Sequence, residues 1–150
     1  MALLPAHDPI RALSEAWVRE IFSAVLDGLR LLRYINAGHS RPLFISADGE
    51  VTILPDGDLP IGLFPEVAYE ELQISLFSSC AIVVYSDGLI DALNSRGEEF
   101  AEEKLLNYCK SLPKGATARE ICVSLSQRVS EWSAGVQQFD DITILVLTAD

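Results

Sequence analysis

The chain has 150 residues, 49% hydrophobic and 22% charged, with a formal net charge of −11. That length fits one ordinary domain able to bury a core. The acidity repels a nucleic-acid backbone and an anionic membrane surface, so neither is expected as a partner.

The elements follow in chain order. Residues 8–20 predict a helix, with Asp8 as N-cap, Pro9 in the first turn, and Ile10, Leu13, Ala16 and Trp17 on one face. Ile21 to Leu26 predicts a strand, Asp27-Gly28 a two-residue hairpin turn, and Leu29 to Ile35 the returning strand. Asn36-Ala37-Gly38-His39 reads as a tight loop. Leu43–Ser46 and Val51–Leu54 predict a second hairpin around Ala47-Asp48-Gly49-Glu50. Residues 55–66 carry three prolines and two glycines and predict an irregular loop. Glu71 to Phe77 alternates as a half-buried strand, and Ala81 to Tyr85 reads as a buried one.

The second half predicts a short helix over Gly88–Leu93 and a longer one over Glu98–Ser111, with Phe100, Leu105, Leu106 and Cys109 facing inward. Thr117-Ala118-Arg119-Glu120 is a capping box for a further helix. Its stripe is Ile121, Leu125, Val129 and Trp132, read as core. A last buried strand follows Asp141. Strands and helices are segregated, so the fold class is α+β with antiparallel strands.

No apolar run reaches the length of a bilayer span, and the first residues lack the basic start of a signal peptide. Cys80, Cys109 and Cys122 form no C-x-x-C pair and read as buried, reduced thiols of a cytoplasmic protein. The apolar excess is expected to leave a face for a partner or a further segment.

Two acidic turns carry the chemistry. Tyr85-Ser86-Asp87-Gly88 closes one apolar run, and Asp140-Asp141-Ile142-Thr143 opens another. If the two runs are antiparallel neighbours, Asp87 and Asp140 meet on one rim of a sheet. Converging carboxylates at strand ends suit hard divalent cations.

Six strings in order resemble the bacterial PPM-type (protein phosphatase 2C-like) serine/threonine phosphatases of the SpoIIE kind. They are Tyr34 to Leu43 with its Asn-Ala-Gly-His loop, Asp48-Gly49, Leu59 to Leu63, Val84 to Ala92, Asn94 to Phe100, and Asp140 to Thr143. The match runs from about residue 20 to the end. The resemblance implies an antiparallel β-sandwich flanked by helices, with two or more Mn²⁺ or Mg²⁺ ions at one end. It implies Asp87 and Asp140 as metal ligands, and Gly88 as the glycine that turns the chain away from the metal. Asp141, Asn36, Gly38 and His39 would support the site through backbone geometry. Asp91 reads as a solvated helix-start residue and Arg41 as exposed.

The implied reaction is removal of phosphate from a phosphoserine or phosphothreonine protein such as an anti-sigma-factor antagonist. In-line attack by an activated water requires no protein nucleophile. The implied setting is a partner-switching or stress-signalling pathway, with a homodimer as an option. Two segments of the family domain, one Gly-Asp-Phe-Tyr-Asp-like and one Asp-Val-Ser-Gly-Lys-Gly-like, have no counterpart before Asn36. Residues 1–150 are therefore expected to be a single partial domain lacking its N-terminal part. The alternative is a catalytically inactive phosphatase-like module that binds a regulatory protein or mediates dimerisation. Ala101 stands where the family commonly has glycine, and Phe77-Ser78-Ser79-Cys80 where it has Pro-Gly-Asp. Both read as turn and packing changes.

Overall fold

A computed structural model describes residues 21–26, 30–64 and 66–149. The expected helix over 8–20 and the Asp27-Gly28 turn lie outside the described residues. The chain divides into two compact units, Met1–Arg41 with Pro55–Leu76 and Pro42–Leu54 with Phe77–Asp150.

The first unit holds a three-stranded antiparallel sheet in the order β1 (Ile21–Leu26), β2 (Leu31–Ala37), β5 (Leu72–Ser75). Leu26 pairs with Leu32, and β2 starts and ends two residues later than expected. Asn36 and Ala37 belong to the strand rather than to the loop, because Ala37 also bridges Asp58 on the following loop. On β5, Leu72 and Ile74 are half-buried while Gln73 and Ser75 are exposed, as the alternation requires.

The second unit holds a four-stranded antiparallel sheet, β4 (Val51–Ile53), β3 (Leu43–Ile45), β6 (Ala81–Tyr85), β7 (Ile144–Thr148). Three helices join it: α1 (Asp87–Ile90), α2 (Ala101–Lys110) and α3 (Ala118–Trp132). The core unites Leu43, Ile45, Val83 and Tyr85 from the sheet with Leu105 and Cys109 from α2 and Ile121, Leu125 and Val129 from α3. Trp132 packs at its margin, edge-on to Phe100 at 5.8 Å between centroids. β6 is buried along its whole length, as expected. β7 is not: Val146 is buried but Leu145 is 49% exposed.

The capping box at Thr117 forms as read. Its hydroxyl accepts from the Glu120 N–H at 3.3 Å, and the Glu120 carboxylate accepts from the Thr117 N–H at 2.8 Å. The helix expected from Glu98 starts at Ala101 instead. Asn94 Oδ1 accepts from the N–H groups of Arg96 and Glu98, Gly97 takes φ +76°, and Leu93 bridges Glu99. That small hairpin consumes the residues that would have made the first turn. Phe100 is still fully buried, and Ala101 enters the helix at φ +61°. Cys80 and Cys109 are buried free thiols, while Cys122 is only half-buried.

Candidate active site at the ends of β6 and β7

β6 and β7 are antiparallel neighbours, with Tyr85 opposite Ile144, so the end of one lies beside the start of the other. Ser86 fastens the two turns. Its N–H donates to the Thr143 carbonyl at 3.0 Å, its hydroxyl donates to the Asp141 carbonyl at 3.0 Å, and its Oγ accepts from the Thr143 N–H at 2.9 Å. Ser86 carried no role in the sequence reading. The legible signal is a hydroxyl at the strand end, one position before an Asp-Gly turn.

Gly88 is buried, and its place is set by close approach. A Cβ there would stand 2.6 Å from the Asp141 carbonyl oxygen and 3.4 Å from the Asp140 carbonyl carbon. Its φ is not positive, so the need for glycine here comes from close approach and not from left-handed backbone. The two backbones touch where only a hydrogen fits.

Asp87 and Asp140 are exposed and braced alike. Asp87 Oδ1 accepts from the Gly88 N–H at 2.8 Å, and Asp140 Oδ1 accepts from the Asp141 N–H at 2.8 Å. Each carboxylate is braced by the next residue's backbone through one oxygen. Among the described residues neither forms an ion pair with Arg, Lys or His; the pairs formed elsewhere include Arg33–Glu71, Arg41–Asp56 and Arg96–Glu98. Asp91 feels this uncompensated charge. Partial burial first, then the charges of Asp87, Glu99 and Asp140, push its carboxyl above the usual carboxylate range. Its coupling to both acidic turns was not legible in the sequence, because the coupling depends on α1 packing against the Asp140–Asp141 turn.

The donor chemistry fits a hard cation. Two braced carboxylates, a cradle too tight for a Cβ and no answering protein cation among the described residues suit Mg²⁺ or Mn²⁺. Among the described residues no group of three or more His, Cys, Asp or Glu side chains comes together to hold a metal ion. The remaining positions around such an ion would go to water or phosphate oxygens.

The Asn36 loop belongs to the first unit and is self-contained. Asn36 is buried; its Oδ1 accepts from the His39 N–H at 2.8 Å and its Nδ2 donates to the His39 carbonyl at 2.9 Å. Gly38 has φ +80°, and a Cβ there would stand 2.3 Å from the Pro60 ring. Gly57 packs as tightly on Asn36 itself, where an added Cβ would stand 2.3 Å from the Asn36 carbonyl oxygen. His39 Nδ1 lies 3.2 Å from the Ser40 carbonyl oxygen. Arg41 pairs with Asp56 at 3.4 Å.

The family model described as stage II sporulation protein E (SpoIIE) matches residues 21–150. Protein IcfG of Synechocystis sp. is 26% identical over 117 residues, which span 77% of this chain and 18% of that protein. Among solved structures, the manganese-presoaked phosphatase domain of the cell fate determinant SpoIIE from Bacillus subtilis has a TM-score of 0.68 at 17% identity. It covers 87% of this chain and 56% of that one. The SiaA-PP2C domain of Pseudomonas aeruginosa has a TM-score of 0.65 at 22% identity, covering 81% of this chain and 47% of its own. At such identities the likeness shows the fold, an α+β phosphatase 2C-like arrangement of antiparallel sheets and helices. The chain spans about half the length of the phosphatase domains it matches and about a fifth of the curated relative. With the family model matched from β1 to the end, the chain belongs to the SpoIIE family of PPM-type phosphatase domains.

Proposed function

We propose that this chain is the C-terminal portion of a metal-dependent phosphoserine/phosphothreonine protein phosphatase domain, a single partial domain, with Asp87 and Asp140 holding Mn²⁺ or Mg²⁺. One observation carries the reading: two carboxylate turns, fastened by Ser86 and closed on Gly88, form no ion pair with a protein cation among the described residues. A manganese-presoaked relative of the same fold supports the choice of metal. The cation would lower the pKa of a bound water and offset charge on the transferred phosphoryl group.

The chain's own residues set the geometry. The Asp87 and Asp140 carboxylates are held in register by their neighbours' N–H groups. Asp141 spends its carbonyl on Ser86 and supports the second turn from behind. Asn36, Gly38 and His39 fix the backbone of the family's Asn-Ala-Gly-His loop. Substrates are phosphoproteins such as anti-sigma-factor antagonists in a bacterial partner-switching or stress-signalling pathway, and a homodimer belongs to the same proposal. Free thiols and strong net negative charge support a cytoplasmic setting. Among the described residues no helix is long and apolar enough to cross a membrane.

A second reading is favoured by the absence of a third ligand among the described residues: an inactive phosphatase-like module that binds a regulatory protein. Turnover separates the two. Manganese-dependent release of phosphate from p-nitrophenyl phosphate and phosphoserine peptides, abolished in Asp87→Asn, is expected of the enzyme. Release that is absent, or that survives Asp87→Asn, contradicts it.

A further inference from the structure

Beside the two acidic turns lies a cleft for which the metal-site reading has no use. Gly88, Ala92, Leu93, Gln137, Phe139 and Asp140 line it. The wall at Ala92 is fixed, because its carbonyl accepts from Trp132 Nε1 at 3.0 Å and from the Phe100 N–H at 2.8 Å. Gln138, also on the lining, donates from Nε2 to the Asp140 carbonyl. Phe139 is 83% exposed, the most exposed of the large hydrophobic side chains among the described residues.

A single exposed phenyl ring is ordinary on a protein surface. Phe139 differs by its place: it directly precedes Asp140 and stands on the rim of a cleft that Gly88 and Asp140 share with the acidic turns. An extended peptide advances roughly 3.3 Å per residue. A peptide whose phosphate sits at Asp87 and Asp140 therefore brings a neighbouring residue over this cleft within one or two positions. Ala92, Leu93 and Phe139 offer that residue an apolar lining. Asp91 and Asp140 repel an acidic one.

We propose that this cleft receives the substrate residue flanking the phosphorylated serine or threonine, and that Phe139 selects an apolar side chain there. The proposal rests on the phosphatase reading above and names what that site would prefer.

Fluorescein-labelled phosphoserine peptides carrying Leu, Ala or Asp at each of the two positions on either side are titrated with the protein in Mn²⁺, with anisotropy as readout. At one of these positions Leu is expected to bind about tenfold tighter than Ala, the worth of a few buried methylenes in a shallow apolar pocket. Phe139→Ala erases that preference and Phe139→Leu keeps most of it, with thermal unfolding of each variant read in parallel. Equal binding of Leu and Ala peptides, a preference undiminished in Phe139→Ala, or no binding of any peptide overturns the proposal. A Leu preference that persists without phosphate and without Mn²⁺, and still depends on Phe139, contradicts the phosphatase reading and leaves the cleft as a peptide site.

Discussion

Gly88→Ala separates close packing of the two acidic turns from a mere neighbourhood of loops. In an exposed four-residue helix with room around it, alanine would stabilise, because it is the better helix former by up to about 1 kcal/mol. Here the added Cβ would stand 2.6 Å from the Asp141 carbonyl oxygen and 3.1 Å from its carbonyl carbon, where ordinary contact begins at 3.4 Å. The obstacle is backbone, held by the Ser86 hydroxyl, and cannot swing aside as a side chain would. Overpacking of this kind costs about 1–3 kcal/mol, which outweighs the helix-propensity gain. The expected net effect is a loss of about 1–2 kcal/mol. Urea unfolding followed by tryptophan fluorescence reads it as a lowered midpoint at unchanged slope. Mn²⁺ affinity should fall with it, because the turns must part. A Gly88→Ala variant that is as stable as the parent, or more so, and binds Mn²⁺ equally well would refute the apposition of Asp87 and Asp140.

Other predictions follow from the same structure. Ala101 holds φ +61° with a Cβ, so Ala101→Gly is expected to raise stability by about 0.5–1 kcal/mol in the same urea assay; a loss would mean that the helix start does not need the left-handed conformation. Hydrogen bonds from Thr117, the backbone first and then the hydroxyl, hold the Glu120 carboxyl below its ordinary value. That contribution is present above the unfolded carboxylate pKa of about 4.3 and is lost as pH falls through the lower folded value. Glu120→Gln should therefore flatten the decline of stability below about pH 4.5; an unchanged slope contradicts it. Burial pushes the Cys109 thiol up to about 12. Native-state labelling read by mass spectrometry should therefore modify half-buried Cys122 first and Cys109 only on unfolding.

The antiparallel hairpin of β3 and β4, the Thr117 cap and the buried stripe of α3 were legible because each is local. Turn residues, an N-cap with Glu three positions on, and apolar spacing are all contiguous in the chain. Part of what sequence missed depends on distant partners. Ser86 is an unremarked hydroxyl until Asp141 and Thr143 stand beside it, 55 and 57 residues away. Gly88 reads as half of a common Asp-Gly turn until the Asp141 carbonyl closes over it. The start of α2 moved because Asn94 took the backbone N–H groups of Arg96 and Glu98, a competition that helix propensity does not contain. β7 was read as buried from its apolar run, yet Leu145 is half-exposed because composition does not say which flank of a strand a sheet leaves open. The adjacency of the two acidic turns was legible only conditionally. It required β6 and β7 to be neighbours, and the register of Tyr85 with Ile144 supplies that condition.

The central claim is that Asp87 and Asp140 act together on one cation, and calorimetric titration with Mn²⁺ tests it most directly. The protein should bind Mn²⁺, and Asp87→Asn and Asp140→Asn should each abolish the heat, with the double variant no worse than either single one. Binding that persists in both single variants, or losses that simply add, would contradict a shared site.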